Sequence, residues 1–146
     1  MKGQETKPRI LNEALEAFSL HGYEGARVDK IAAAAGINKA SLYFHFKGKR
    51  ELFLELLTTI IGRYESFVQR IVLSCKGSSL QEQLMDFCVN FLDDSLGNHG
   101  IDFWNRIYYL PPAQMKQDIL NLTKNDKKML VEAISGLIEH AIARGE

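Results

Sequence analysis

Residues 39–50 hold four cations (Lys39, Lys47, Lys49 and Arg50) and not one carboxylate. Ser41, Tyr43 and His45 add a hydroxyl, a phenol and an imidazole to the same stretch. Cations and hydrogen-bonding groups with no acid among them suit a polyanion. Lysine meets phosphate oxygens, and a hydroxyl donates or accepts at a phosphate or a base edge. For that chemistry the groups need a support that turns them outward together. The run at 28–50, VDKIAAAAGINKASLYFHFKGKR, reads as two short helices broken at Ala35-Gly36-Ile37-Asn38. A helix-turn-helix has that layout, with its second helix placed in the major groove of DNA.

The elements around it repeat with a helical period, and no alternating strand pattern emerges. Ile10, Leu11, Ala14, Leu15 and Phe18 form one stripe, which predicts a first helix over 7–20, with Pro8 tolerated in its first turn. A second helix over 28–35 stops at Gly36, and Asn38 is placed to cap a third over 39–44. Ile31, Ala35, Ile37, Leu42 and Phe46 can close a small three-helix core with Phe18 and Leu15. A long helix follows over 49–73, striped by Phe53, Leu56, Leu57, Ile60, Tyr64, Phe67, Val68 and Ile71. Ser79 and Glu82 are spaced for a capping box that opens a helix over 80–96. Gly97-Asn98-His99-Gly100 reads as a turn, 101–109 as a short aromatic helix stopped by Pro111-Pro112, and 112–144 as one long helix. The expected fold is all-α, with a head over 1–48 and a helical body over 49–146.

Charge divides the chain in the same place. Residues 1–50 carry nine Lys/Arg against five Asp/Glu, and 51–146 carry nine against thirteen, although the whole is neutral. A basic head on an acidic body binds a polyanion at one end only. The apolar runs are too short to span a membrane, and the first ten residues lack a signal-type segment. Only Cys75 and Cys88 occur, both among apolar residues, so buried thiols and a cytoplasmic setting are expected. No Gly-rich phosphate loop, nucleophile elbow or His-Glu-x-x-His pattern is present, and the four histidines are scattered. Neither catalysis, a metal nor a cofactor is expected.

Gly22-Tyr23, Val28-x-x-Ile31-Ala32, Ala35-Gly36-Ile37 and Leu42-Tyr43-x-x-Phe46-x-x-Lys49-x-x-Leu52 together resemble the DNA-binding head of the TetR family of bacterial regulators. The resemblance covers residues 7–55 with order and spacing kept, and its last segment is the most specific part. It implies DNA contacts from Arg27, Lys39, Ala40, Ser41, Tyr43, His45 and Lys49. At Arg27 the family usually has a capping Ser or Thr, and at Ala40 often Gly. The resemblance also implies double-stranded operator DNA as partner, a homodimer, and a small, apolar effector held between body helices. Phe87, Phe91, Phe103, Trp104, Ile107 and Tyr108 are the aromatic and aliphatic residues expected to wall that site, with Asn90, His99, Asn105 and Arg106 available to orient a ligand. Family members normally continue into two further helices, so the body is expected to be incomplete at its C-terminus. The function implied is transcriptional regulation, by repression that the effector relieves; the alternative is a helical ligand-binding or protein-interaction module without operator binding.

Overall fold

The computed structural model describes residues 5–74, 79–93, 97–124 and 126–145. They form α1 (Thr6–Gly25), α2 (Val28–Ala34), α3 (Lys39–His45), α4 (Lys49–Ser74), α5 (Leu80–Asp93), α6 (Gly97–Tyr109), a 3-10 turn (Ala113–Met115), α7 (Lys116–Thr123) and α8 (Asp126–Arg144). The fold is all-α, and no strand occurs among the described residues.

The head closes as its apolar spacing requires. Ile10, Ala14, Phe18, Ile31, Ala35, Leu42 and Phe46 are buried together, with Leu15 and Ile37 packed against them. Two local devices set the angle between α2 and α3. Gly36 adopts φ +67°, and the amides of Gly36 and Ile37 donate to the carbonyls of Ala33 and Ala32, both at 3.0 Å. This pair of bonds is a Schellman cap, which satisfies carbonyls that the end of α2 would otherwise leave open. Asn38 then opens α3, its Oδ1 accepting from the Ser41 amide at 2.8 Å. A Cβ at position 36 meets nothing within 4 Å, so the glycine is needed for its backbone conformation alone. Gly36→Ala should therefore lower stability by about 1 kcal/mol, the cost of a left-handed non-glycine residue. Chemical denaturation measures it, and an unchanged midpoint would show that the turn relaxes.

The fold departs from the sequence expectation in three places. First, α1 does not stop at Leu20 but continues to Gly25 through a kink at Gly22, where φ is +67° and ψ is 179°. Second, α6 starts at Gly97, so the expected turn at 97–100 is helical. Gly100, Phe103 and Ile107 are buried along one side of α6, and this packing stabilises a first turn that glycine propensity disfavours. Third, the expected single helix over 112–144 is three pieces. Positions 124–128, Lys-Asn-Asp-Lys-Lys, offer no apolar side chain for packing, and the two flanking helices bury into different places. Ile119 of α7 joins the main core, whereas Leu137 of α8 joins a second cluster with Tyr64, Val68 and Phe87. The capping box at Ser79 forms as spaced: the Ser79 amide donates to Glu82 at 3.0 Å and the Glu82 amide to Ser79 Oγ at 3.3 Å.

Cys88 is exposed, contrary to the expectation of a buried thiol. Phe87 faces inward on α5, and the next residue along a helix is turned about 100° away from it. Cys75 and the side chains of Phe67, Ile71 and Phe91 lie outside the described residues.

One apolar cluster runs from the head into α4, α6 and α7, and aromatic rings form its middle. Phe53 stands with its ring centroid 5.0 Å from Phe18, 5.2 Å from Tyr23 and 5.5 Å from Phe103. Polar ties reinforce this seam. Arg106 donates from Nε to the Ser19 carbonyl at 3.0 Å and from Nη2 to the Leu20 carbonyl at 3.3 Å. These are carbonyls that the kink at Gly22 leaves near the end of the straight part of α1. Gln114 donates to Glu24 at 2.9 Å, and Arg50 pairs with Asp118 at 2.6 Å.

Candidate nucleic-acid interface

The capped start of α3 and its two inward anchors determine what the helix presents. Leu42 and Phe46 are four residues apart, both wholly buried, and they pin one face to the head core. Residues about half a turn away must point outward, as Ala40 and Phe44 do. Lys39 and Tyr43 flank them and are exposed too, and Lys47 continues the row. Ser41 and His45 lie at the edges of this face and are half-buried. The expected set of Lys39, Ala40, Ser41, Tyr43 and His45 is therefore brought onto one element, with Lys39, Ala40 and Tyr43 its exposed members.

Lys39 Nζ sits 5.8 Å from the centre of the Tyr43 ring, a cation–π pair one turn apart that holds both groups on the same side. Among the described residues, neither makes a closer polar bond that occupies its charge or hydroxyl. A lysine ammonium, a phenol hydroxyl and a methyl from Ala40 thus stand ready for phosphate oxygens and base edges.

Phe44 was not among the expected contacts, yet it is the most exposed large apolar side chain among the described residues, at 88%. An aromatic residue in a short helix is ordinarily assigned to the core. The signal that places it outside was present: Phe44 is two residues from both Leu42 and Phe46, about 200° around the helix from each. Its ring packs edge-on to His45, with centroids 5.6 Å apart.

Arg27 and Lys49 are placed at the margins and are engaged elsewhere. Arg27 precedes α2 without capping it through its side chain. Its guanidinium instead makes two bonds to the Asp29 carboxylate, at 3.1 and 2.8 Å. That hydrogen bonding holds the Asp29 carboxyl below the usual carboxylate range and raises Arg27. Both residues face solvent, so a phosphate would compete with Asp29 for the same fork. Lys49 donates to the Glu24 carbonyl at 3.0 Å and lies 4.9 Å from the centre of the Tyr23 ring. It ties α4 to the end of α1.

The residues expected to wall an effector site do not converge on one cavity. Phe87 is buried in the cluster of α4, α5 and α8, whereas Phe103 and Ile107 belong to the seam core. Trp104 and Tyr108, with Ile107 between them, line an apolar groove of about 210 Å³ against Ile119 and Leu120 of α7. A second cavity of about 210 Å³ lies at the seam itself, lined among others by Phe18, Tyr23, Phe53, Phe103 and Arg106. Phe91, Asn90 and His99 fall outside the described side chains. No cluster of His, Cys, Asp and Glu able to hold a metal ion occurs among the described residues, and no helix there is long and apolar enough to cross a membrane.

Comparison with known proteins adds to this geometry. Residues 10–56 match the family described as bacterial regulatory proteins, tetR family. The chain is 27% identical to the uncharacterized HTH-type transcriptional regulator YdgC of Bacillus subtilis, over 95% of this chain and 80% of that protein. It is 44% identical to the HTH-type transcriptional repressor SCO4008 of Streptomyces coelicolor, over 37% of this chain and 28% of that one. Among solved structures, the transcriptional regulator FadR of Bacillus subtilis in complex with stearoyl-CoA superposes with a TM-score of 0.66 at 20% identity. That superposition covers 94% of this chain and 72% of FadR, and it concerns the fold.

Proposed function

We propose that this chain, whose residues 10–56 match the tetR family of bacterial regulatory proteins, is a DNA-binding transcriptional regulator acting as an effector-released repressor. Residues 1–48 form the operator-binding head, and α3 enters the major groove of double-stranded DNA. Lys39 and Tyr43 take phosphate oxygens, Ala40 and Ser41 approach base edges, and His45, Arg27 and Lys49 approach the flanking backbone. Residues 49–146 form a regulatory body that takes a small, apolar molecule beside α6. A homodimer presents two heads to two half-sites in the cytoplasm. An effector relieves repression by binding better to a conformation whose heads no longer match the half-sites.

The observation that carries this reading is the outward face of α3, where Lys39, Ala40, Tyr43 and Phe44 are exposed while Leu42 and Phe46 are buried. Repression is supported by the name of the relative SCO4008, and an effector by the ligand in the FadR structure.

A salt titration of the full chain on duplex DNA tests it. Each phosphate neutralised by a lysine or arginine should contribute about −0.9 to the slope of log affinity against log salt. Two heads with Lys39 engaged should give a slope of about −2, and steeper where Arg27 or Lys49 also reaches phosphate. A flat titration, or no binding at low salt, would assign the chain to ligand binding without an operator.

A further inference from the structure

Phe44 occupies the crest of α3. Leu42 and Phe46 set the buried side of that helix, and Ala40 and Phe44, one turn apart, form the ridge opposite. Phe44 is 88% exposed, and its ring leans edge-on against His45, which leaves the outer part of the ring uncovered. Single exposed apolar side chains are common and need no partner. The place of this one, at the most forward point of a seven-residue helix in a basic head, gives it a use.

The ridge carries a methyl and a ring where polar recognition would need a fork. Residues 39–45, KASLYFH, include no arginine, asparagine or glutamine. Those are the side chains that take guanine or adenine with paired hydrogen bonds. Asn38 precedes them, but its Oδ1 already accepts from the Ser41 amide at 2.8 Å. Lys39 is five residues before Phe44, about 140° around the helix from it. It stands by the Tyr43 ring on the flank, where a groove wall would meet it. What projects furthest is therefore apolar. The floor of the major groove has one apolar feature of its own, the C5-methyl of thymine.

Charge indicates what covers the ridge. Residues 39–50 hold four cations and no carboxylate, and Lys39 and Lys47 lie beside the ridge, both exposed. A cationic rim around an apolar crest suits a duplex, whose phosphates line both walls of the groove. The seven residues of α3 make about 10 Å of helix, and the groove is about 12 Å wide. We infer that Phe44 is a specificity-determining residue that reads the C5-methyl of a thymine in each half-site, so that this base pair is selected by apolar contact and not by a hydrogen bond. The inference deepens the operator-binding reading proposed above and rests on it. Ala40 leaves room for the approach, because a longer side chain one turn before Phe44 would reach the groove floor first. 5-Methylcytosine presents a methyl at the same place in the groove, so a methylated C·G pair shares the recognised feature and an unmethylated one lacks it.

The test starts from a duplex that the full chain selects out of a randomised pool. A thymine should recur at one position of each half-site. Each thymine of one half-site is then replaced in turn by uracil, which removes the methyl and keeps every hydrogen-bonding group. At the recurrent position this should weaken binding by about fourfold, the effect of one buried methyl-sized group. With a C·G pair placed there, methylating the cytosine at C5 should tighten binding by about the same factor. Phe44→Ala should erase both methyl effects while its thermal unfolding matches the parent's, since the ring lies outside the core. Phe44→Leu, still apolar, should retain part of them. Half-sites with no recurrent thymine, equal binding with uracil at every position, or methyl effects that persist in Phe44→Ala would each overturn the inference and leave the operator reading standing. A pool with no enriched sequence would overturn both.

Discussion

Phe53→Ala should lower the stability of the whole chain by about 3–5 kcal/mol, the range for removing a fully buried phenylalanine. Phe53 is 2% exposed and its ring meets Phe18, Tyr23 and Phe103 in three separate contacts from two helices. Each such aromatic pair adds about 0.5–1.5 kcal/mol beyond the area it buries. The site cannot collapse easily, because Phe18 and Phe103 are themselves anchored on α1 and α6, and their centroids already stand 6.5 Å apart. The consequence extends to regulation. With this ring gone, the head keeps its own core of Ile10, Leu42 and Phe46 but loses the packed link to α6. Urea unfolding followed by far-UV circular dichroism measures the loss. A cost below about 1 kcal/mol would mean that the seam is loosely packed and that the body is not coupled to the head through it.

The second large effect concerns DNA. The double substitution Lys39→Ala with Tyr43→Ala should weaken binding of the full chain to duplex DNA by about 10²-fold at moderate salt and flatten the salt slope. Both side chains are exposed, Tyr43 at 43%, and neither contributes to the head core. Their loss should therefore change folding stability by no more than about 0.5 kcal/mol. Phe44→Ala separates the two kinds of contact. A ring carries no charge, so its removal should leave the slope unchanged while reducing affinity for a selected operator, as expected for apolar contact with a thymine methyl. If the double variant binds as tightly as the parent, α3 is not the element in the groove. If Tyr43→Ala alone unfolds the head, Tyr43 belongs to the core.

Much of this molecule is local, and local features are readable in a chain of letters. Asn38 caps the helix that follows it, Gly36 ends the helix before it, and Ser79 with Glu82 forms its capping box, because each bond spans only three to five residues. The stripe of Ile31, Ala35, Leu42 and Phe46 is buried for the same reason: a 3.6-residue period marks the side that must leave water. Even the exposure of Phe44 follows from Leu42 and Phe46, although an aromatic bias hides it.

Partners distant along the chain decide the rest. Nothing near Lys49 in the sequence indicates that its ammonium meets Glu24 and Tyr23, or that Arg50 pairs with Asp118. The aromatic residues of α5 and α6 look alike in spacing, yet Phe87 and Phe103 enter different cores, because α8 covers one and α1 the other. Arg106 carries no sequence mark that it will reach the carbonyls of Ser19 and Leu20, 86 or more residues away. Periodicity states which side of a helix is buried; only the packing of all the helices states against what.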